Sequence, residues 1–217
     1  ARFPYVNGAL FSDPIRTPSF NSEMSKRLIE AGQFNWSGIS PAIFGSLFQS
    51  VMDREERRKA GAHYTTEKNI MKVIGPLFLN DLRAEFTALK ARKTNRIKML
   101  QAFHDRLAKL TFLDPACGCG NFLIITYREL RLLEIEVLRE IHRDTLKKMK
   151  GGATELPLQT LLKIDVDQFY GIEFSEFPAR IAETAMWMID HIMNTQASLE
   201  FGAAFLRIPL RKSRSIT

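Results

Sequence analysis

Positions 111–126, TFLDPACGCGNFLIIT, gather the residues in this chain best suited to chemistry. A short apolar run ends in Asp114-Pro115, and Gly118 and Gly120 flank Cys119, two residues after Cys117. Metal chelation, a disulfide, a nucleotide loop and plain packing all compete to explain it. A disulfide between positions 117 and 119 would be strained, because alternate residues do not present suitable geometry. Zinc needs further ligands, and His63, His104, His142 and His191 form no ligand pair with the cysteines at the usual spacing. The thiols therefore read as small, weakly polar residues fitted into a tight loop.

The backbone is more informative than the sulfurs. A strand ending at Ala116 or Cys117, a glycine turn and a helix from Asn121 would present unpaired N–H groups to a ligand that approaches closely. No Gly-Lys-Ser/Thr follows, so the loop is not a P-loop, and Leu123 occupies the third glycine position of the dinucleotide fingerprint. Asp114 stands at the carboxyl end of its strand, where α/β folds bind ligands; it can accept from a cationic amine or orient the loop. A second apolar run, DQFYGIEF at 167–174, ends near Glu173, whose paired acceptors suit a vicinal diol. Loop and second acid together imply a nucleoside-containing ligand. The alternative for Glu173 is a solvated strand-end acid.

Positioning these residues needs a strand–helix–strand–helix succession. After the loop, Leu130, Leu133, Val137 and Ile141 recur at helical spacing, predicting a helix from Asn121 to about Met149 that Gly151-Gly152 end. SEFPARIAETAMWMIDHIMN predicts another, with Ile181, Ala185, Met188 and Ile192 on one side. That order implies parallel strands with a right-handed crossover. Upstream, helices are expected at SEMSKRLIEAG, stopped by Gly32, and at SPAIFGSLFQSVM, with Ser40 as N-cap and Pro41 in the first position. Thr65 or Thr66 caps a further helix whose face holds Ile70, Val73 and Leu77, with Gly75-Pro76 as a kink or interruption.

Several segments resemble one family in the right order. DPACGCGNF resembles the Asp-Pro-Ala-x-Gly-x-Gly-Asn-Phe loop of class I S-adenosylmethionine-dependent DNA methyltransferases of the adenine-N6 branch. GAHYTTEKNI looks like the segment preceding that loop, and FYGIEFSEFPARIAETAMWM resembles its second-strand motif and helix. FPYVNGALF and ISPAIFGSLFQSVMDREERRKAGAHYT look like the single-chain type II (type IIG/IIL) restriction–modification enzymes, which fuse nuclease, methylase and target recognition.

The resemblance implies an α/β fold: a truncated Rossmann-like domain over 111–217, a Tyr-Thr segment and basic helical region over 61–110, and a helical lead-in over 1–60. It implies that Asp114, Pro115, Ala116, Cys117, Gly118 and Gly120 cradle the methionine part of S-adenosylmethionine, with Tyr64 and Thr65 at the same end. Glu173 would hold the ribose hydroxyls and Phe174 would pack on the adenine. For Tyr64 and Thr65 a buried ring and a helix cap remain open, and Asn121 and Phe122 read as helix start and core. No Pro-Pro occurs anywhere, so the family's Asn/Asp-Pro-Pro-Tyr/Phe catalytic motif is missing and no catalytic residue is assigned. The chain is expected to be the front half of a methylase domain that does not methylate DNA alone. An RNA or protein-glutamine methyltransferase, or a non-catalytic nucleic-acid-binding module with a vestigial loop, are the alternatives.

Composition sets the outer limits. Two cysteines in 217 residues exclude a disulfide-stapled scaffold. No apolar run approaches the ~20 residues of a membrane span, so a cytoplasmic protein without a membrane partner is expected. The Ala-Arg start suits an excised or processed piece. Net charge is +7 and localised: residues 81–109 carry eight Lys/Arg against three Asp/Glu, and 205–217 carry four with no acid. Such charge suits DNA phosphates, or equally a solvated helix face and a loose end. With two strands in view the isolated piece should expose apolar surface, favouring oligomers or aggregation.

Overall fold

A computed structural model of the chain describes residues 19–34, 39–51, 65–143, 146, 161–202 and 216. The helices are α1 (Ser22–Gln33), α2 (Ile43–Val51), α3 (Glu67–Ile74), α4 (Asn80–Lys90), α5 (Arg96–Leu107), α6 (Asn121–Ile141) and α7 (Glu176–Phe201). A π-helical turn, Gly75–Leu79, joins α3 to α4, and the strands are β1 (Phe112–Asp114) and β2 (Phe169–Gly171).

Helix α6 is the axis of the core. Leu123, Ile124, Ile125, Leu130, Leu133, Val137 and Leu138 are all buried, on every side of the helix, so it must be covered all round. α5 packs on one flank and α7 on another, with α3 and α4 closing the remainder. Its Leu130, Leu133 and Val137 are buried as the spacing predicts, but the helix ends at Ile141, with Gly151 and Gly152 outside the described residues.

The two strands are parallel, Phe112 opposite Phe169 and Asp114 opposite Gly171. Each is three residues long, shorter than the apolar runs suggest, because the chain turns into the loop directly after Asp114. On the inner face Phe112 and Phe169 stack with centroids 5.1 Å apart, Tyr127 of α6 meets Phe169 edge-on at 5.2 Å, and Phe78 covers Phe112 at 5.0 Å. The outer face is open: Leu113 is 63% and Tyr170 43% exposed, so β1 is covered on one face only, although a short apolar run such as LTFLDPAC reads as a buried strand. Gln168 fixes β2 beside β1, its amide donating to the Leu107 and Leu110 carbonyls while its oxygen accepts the Asp165 N–H. Ile216 makes a parallel bridge to Gly171, whose other edge already pairs with Asp114, so the chain returns to the second edge of β2.

Four helices differ from the sequence reading, two in the face they bury and two at an end. In α3 the buried pair is Ile70 and Ile74, whereas Val73 is 49% and Leu77 70% exposed. Pro76 has no N–H to continue the α ladder, and the π turn that absorbs it, with the Asn80 N–H on the Gly75 carbonyl, rotates Leu77 outward. In α7 the buried stripe is Ala182, Ala185, Ile189, Met193 and Ala197, leaving Met188 exposed. In α1 the helix runs through Gly32 to Gln33, begins at an Asn21 cap whose side chain accepts the Met24 N–H, and buries none of its residues. α2 starts at Ile43, two residues after Pro41; Ser40 still accepts there, its carbonyl from Ile43 N–H at 3.0 Å.

Candidate functional site

The chain reverses at the carboxyl end of β1 through a turn that its own carboxylate holds. Asp114 Oδ1 accepts the Ala116 N–H at 3.1 Å, and the Cys117 N–H donates to the Ile172 carbonyl at 3.0 Å, joining the loop to the end of β2. Gly118 and Gly120 both lie in the left-handed region, at φ 54° and 82°. The Gly120 N–H then closes on the Cys117 carbonyl at 2.8 Å, and Gly120 stands at the N-cap of α6. Gly120 also permits close packing: a Cβ there would lie 2.9 Å from the Ala182 Cβ of α7. Above Gly118 the space is open, with nothing within 4 Å of a Cβ, so a ligand can reach that backbone.

Glu173 closes the other side. It lies two residues beyond β2, half-buried, with Oε2 accepting the Gly118 N–H at 3.0 Å and Oε1 accepting the Ser175 N–H at 2.9 Å. Phe174 projects wholly into solvent, 103% exposed. Beyond them a hollow of about 330 Å³ is lined by Glu173, Phe174, Ala179, Arg180, Glu183 and Ile216. Arg180 is ion-paired to Glu176, one turn earlier on α7.

The structure thus brings Asp114, Pro115, Ala116, Cys117, Gly118, Gly120, Glu173 and Phe174 into one site at the ends of the parallel strands. Thr65 is half-buried just before α3, where Thr66 is the N-cap through its carbonyl and not its hydroxyl. No hydrogen bond among the described residues ties Thr65 to the loop, although α3 docks on α6 through Glu67 and Arg128 at 2.5 Å. Tyr64 lies outside the described residues.

Both thiols are free. Burial, then Asp114 and Glu173, push Cys117 up to about 12, and burial, then Glu173, push Cys119 up to about 11. Each thiol is held in its protonated form at neutral pH, which makes it a poor nucleophile. Cys117 is a packing residue: a Cβ on Gly171 would lie 2.7 Å from its sulfur. Among the described residues no group of three or more His, Cys, Asp or Glu could hold a metal.

Sequence reasoning missed three contributors: the Ser175 N–H, the Gly171–Cys117 approach and the Gly120–Ala182 contact. It missed also a buried polar network below the loop. The Tyr127 hydroxyl donates to Asp190 at 2.5 Å, Arg131 donates to Glu134 at 2.7 Å and to Asn194 at 2.6 Å, and His104 bonds Glu134 at 2.8 Å. Burial works against ionisation of Glu134, but the His104 hydrogen bond and the Arg131 charge outweigh it and hold its carboxyl below the usual range. This network fixes α5, α6 and α7 against one another.

The sequence model of the MmeI DNA-methyltransferase domain matches residues 89–217. The chain is 42% identical over 199 residues to DNA methyltransferase A of Bacillus subtilis (strain 168), covering 91% of this chain and 21% of that protein. It is 23% identical over 231 residues to a putative type II restriction enzyme and methyltransferase of Methanocaldococcus jannaschii, covering 85% of this chain and 18% of the relative. The solved structure of the type IIL restriction–modification enzyme MmeI in complex with DNA superposes with a TM-score of 0.83 at 54% identity, over 99% of this chain and 27% of that one. The chain therefore spans about a fifth to a quarter of the length of these relatives. With the glycine loop, the parallel strands and this match in hand, the chain belongs to the MmeI DNA-methyltransferase domain family.

Proposed function

We propose that this chain forms the cofactor-binding half of a DNA adenine-N6 methyltransferase of restriction–modification type. It binds S-adenosylmethionine at the glycine loop and, in the protein that carries it, serves methylation of adenine in DNA. The observation that carries the reading is the arrangement of two strand-end carboxylates around an accessible glycine backbone: Asp114 and Glu173 flank Gly118, above which space is open. The donor set fits such a ligand. Asp114 uses one oxygen on Ala116, leaving the other for a cationic amine, and each Glu173 oxygen keeps a lone pair for a diol.

S-adenosylmethionine supplies a methyl group on a positively charged sulfur, ready for transfer to a nucleophile. The contribution of this chain is to hold that ligand in one orientation, a proximity effect. Pro115, Ala116, Cys117 and Gly120 shape the loop, and the exposed Phe174 ring offers a face to the adenine; Tyr64 and Thr65 are assigned to the amino-acid end from the sequence resemblance alone. Asp114 and Glu173 make the site favour a positive or neutral ligand over polyphosphates. In this reading 1–60 is the helical lead-in, 61–110 the Tyr-Thr and basic helical region, and 111–217 the first part of a Rossmann-like domain. The catalytic Asn/Asp-Pro-Pro-Tyr/Phe sequence does not occur in these residues, so the chain on its own binds ligand without methylating DNA. Its open Leu113–Tyr170 face favours self-association when isolated.

Calorimetric titration tests the reading. Saturable binding of S-adenosylmethionine is expected, weakened at least tenfold by Asp114→Ala, with no binding of NAD or ATP. Absence of binding, or equal binding of NAD, would overturn it. Transfer of labelled methyl to DNA by the 217-residue chain alone would overturn the assignment of catalysis to other residues.

A further inference from the structure

Glu173 spends both oxygens on backbone before any ligand arrives. Oε2 accepts the N–H of Gly118, 55 residues away in sequence, and Oε1 accepts the N–H of Ser175, the N-cap of α7. One carboxylate therefore joins three things: the glycine loop, the end of β2 and the start of α7. The Gly118 backbone lies at φ 54° with no side chain and open space above it; its neighbours Cys117 and Gly120 are bonded within the loop and to Ile172, while the Gly118 N–H itself bonds Glu173. On the far side of the loop, Gly120 is fixed by its contact with Ala182.

We propose that Glu173 is a positioning residue for the glycine loop as well as a ligand-binding residue, holding Gly118 in place in the ligand-free protein and keeping that bond when ligand binds. A carboxylate has about four acceptor sites. Two serve Gly118 and Ser175, and two remain for a vicinal diol, so loop closure and diol binding do not compete. An amide offers acceptors on one atom only and would set an N–H₂ against one of the two backbone donors. The ligand half of this inference rests on the proposed cofactor reading; the loop half does not.

The test uses Glu173→Gln and Glu173→Asp in the longest soluble form of the protein, with two readouts. In ligand-free protein, hydrogen exchange in the segment 111–126 is expected to accelerate about tenfold in Glu173→Gln, the loss of one charge-assisted bond. Exchange across Arg96–Leu107 should stay unchanged and reports that the fold is intact. Glu173→Asp should behave alike in the loop: a shorter carboxylate can still take the N–H two residues on, as Asp114 does with Ala116, but cannot reach Gly118. The second readout is affinity for S-adenosylhomocysteine and its 2′,3′-dideoxy analogue. Glu173→Gln should weaken the analogue too, by about tenfold, because the loop is disturbed even without a diol to hold. Unchanged loop exchange in both variants overturns the proposal, and so does an analogue affinity indifferent to Glu173. Failure of S-adenosylhomocysteine to bind the unaltered protein instead overturns the cofactor reading, and loop exchange then decides the positioning role alone.

Discussion

Substituting Gly120 with Ala separates two demands that the structure places on one position. The backbone there has φ 82° and ψ 17°, a left-handed conformation that costs an L-residue about 1–2 kcal/mol. The new methyl would also lie 2.9 Å from the Ala182 Cβ and 3.3 Å from its Cα, where carbon pairs prefer about 3.5–4.0 Å. Helices α6 and α7 would have to part by several tenths of an ångström, and overpacking of this kind costs about 1–3 kcal/mol. The two add to about 2–5 kcal/mol, a large share of the ~5–15 kcal/mol that stabilises a typical domain. Gly118→Ala is the control: φ is 54° but nothing lies within 4 Å, so only the conformational cost of about 1–2 kcal/mol applies. Adding Ala182→Gly to Gly120→Ala should restore the packing part, less about 1 kcal/mol for a helical glycine. Urea unfolding of the unaltered chain, Gly120→Ala, Ala182→Gly and the double variant gives the coupling directly. A Gly120→Ala loss no larger than that of Gly118→Ala, or no coupling to Ala182, would refute the close approach of loop and helix.

The buried network should be costly to break. Arg131→Ala is expected to lose about 3–5 kcal/mol by stranding Glu134 and Asn194, and Tyr127→Phe about 1–3 kcal/mol by removing the donor to Asp190; thermal or urea unfolding no worse than for the exposed Arg139→Ala would sink that view. Acid should destabilise the chain, because three carboxyls are held below their ordinary 4.5: Glu67 by its hydrogen bond from Arg128, and Glu134 and Glu140, against the cost of burial, by their hydrogen-bonded partners. A lowered folded value means that the unfolded chain takes up protons first, so this stability is complete above about pH 4.5 and is lost as pH falls through the folded values. A urea midpoint that stays level or rises between pH 5 and 3 would contradict it.

The loop and the parallel succession were legible because glycine, Asp-Pro and apolar runs act locally. DPACGCGN carries its own turn signals in Asp-Pro and the glycines, and Phe112 and Phe169 announce a shared inner face. Which side of a helix is buried was less legible. The α7 stripe counted from Ile181, Ala185, Met188 and Ile192 is right at Ala185 but ignores polar positions, yet Asp190 and Asn194 are buried because Tyr127 and Arg131 on α6 bond to them. Ala182 looks unremarkable in sequence, but its small size admits Gly120. The α3 face failed for a different reason: the buried pair is Ile70 and Ile74, four apart, which leaves Val73 outside, and the π turn around Pro76 then breaks the 3.6-residue count on which the reading of Leu77 depended. Long-range pairing decides these features, and pattern within one segment does not carry it.

Charge shows the same limit in a form that bears on function. The excess of Lys and Arg over 81–109 reads as a polyanion surface, but half of those cations have acidic partners. Arg83 bonds Glu129 and Glu136, Lys90 and Arg96 bond Glu140, and Arg106 pairs with Glu85. Lys98 in the first turn of α5, and Arg92 and Lys93 in the turn between α4 and α5, are exposed and without an acidic partner among the described residues. Lys90 and Arg96 on either side of that turn both reach Glu140, close to the C-terminal end of α6. The glycine loop is at the other end of that helix, roughly 30 Å away at 1.5 Å per residue. Any phosphate contact made by this turn would therefore fall far from the place where a ligand held between Asp114 and Glu173 meets its target. Basic composition and the cofactor loop are two separate features of the chain, and evidence for one lends no weight to the other.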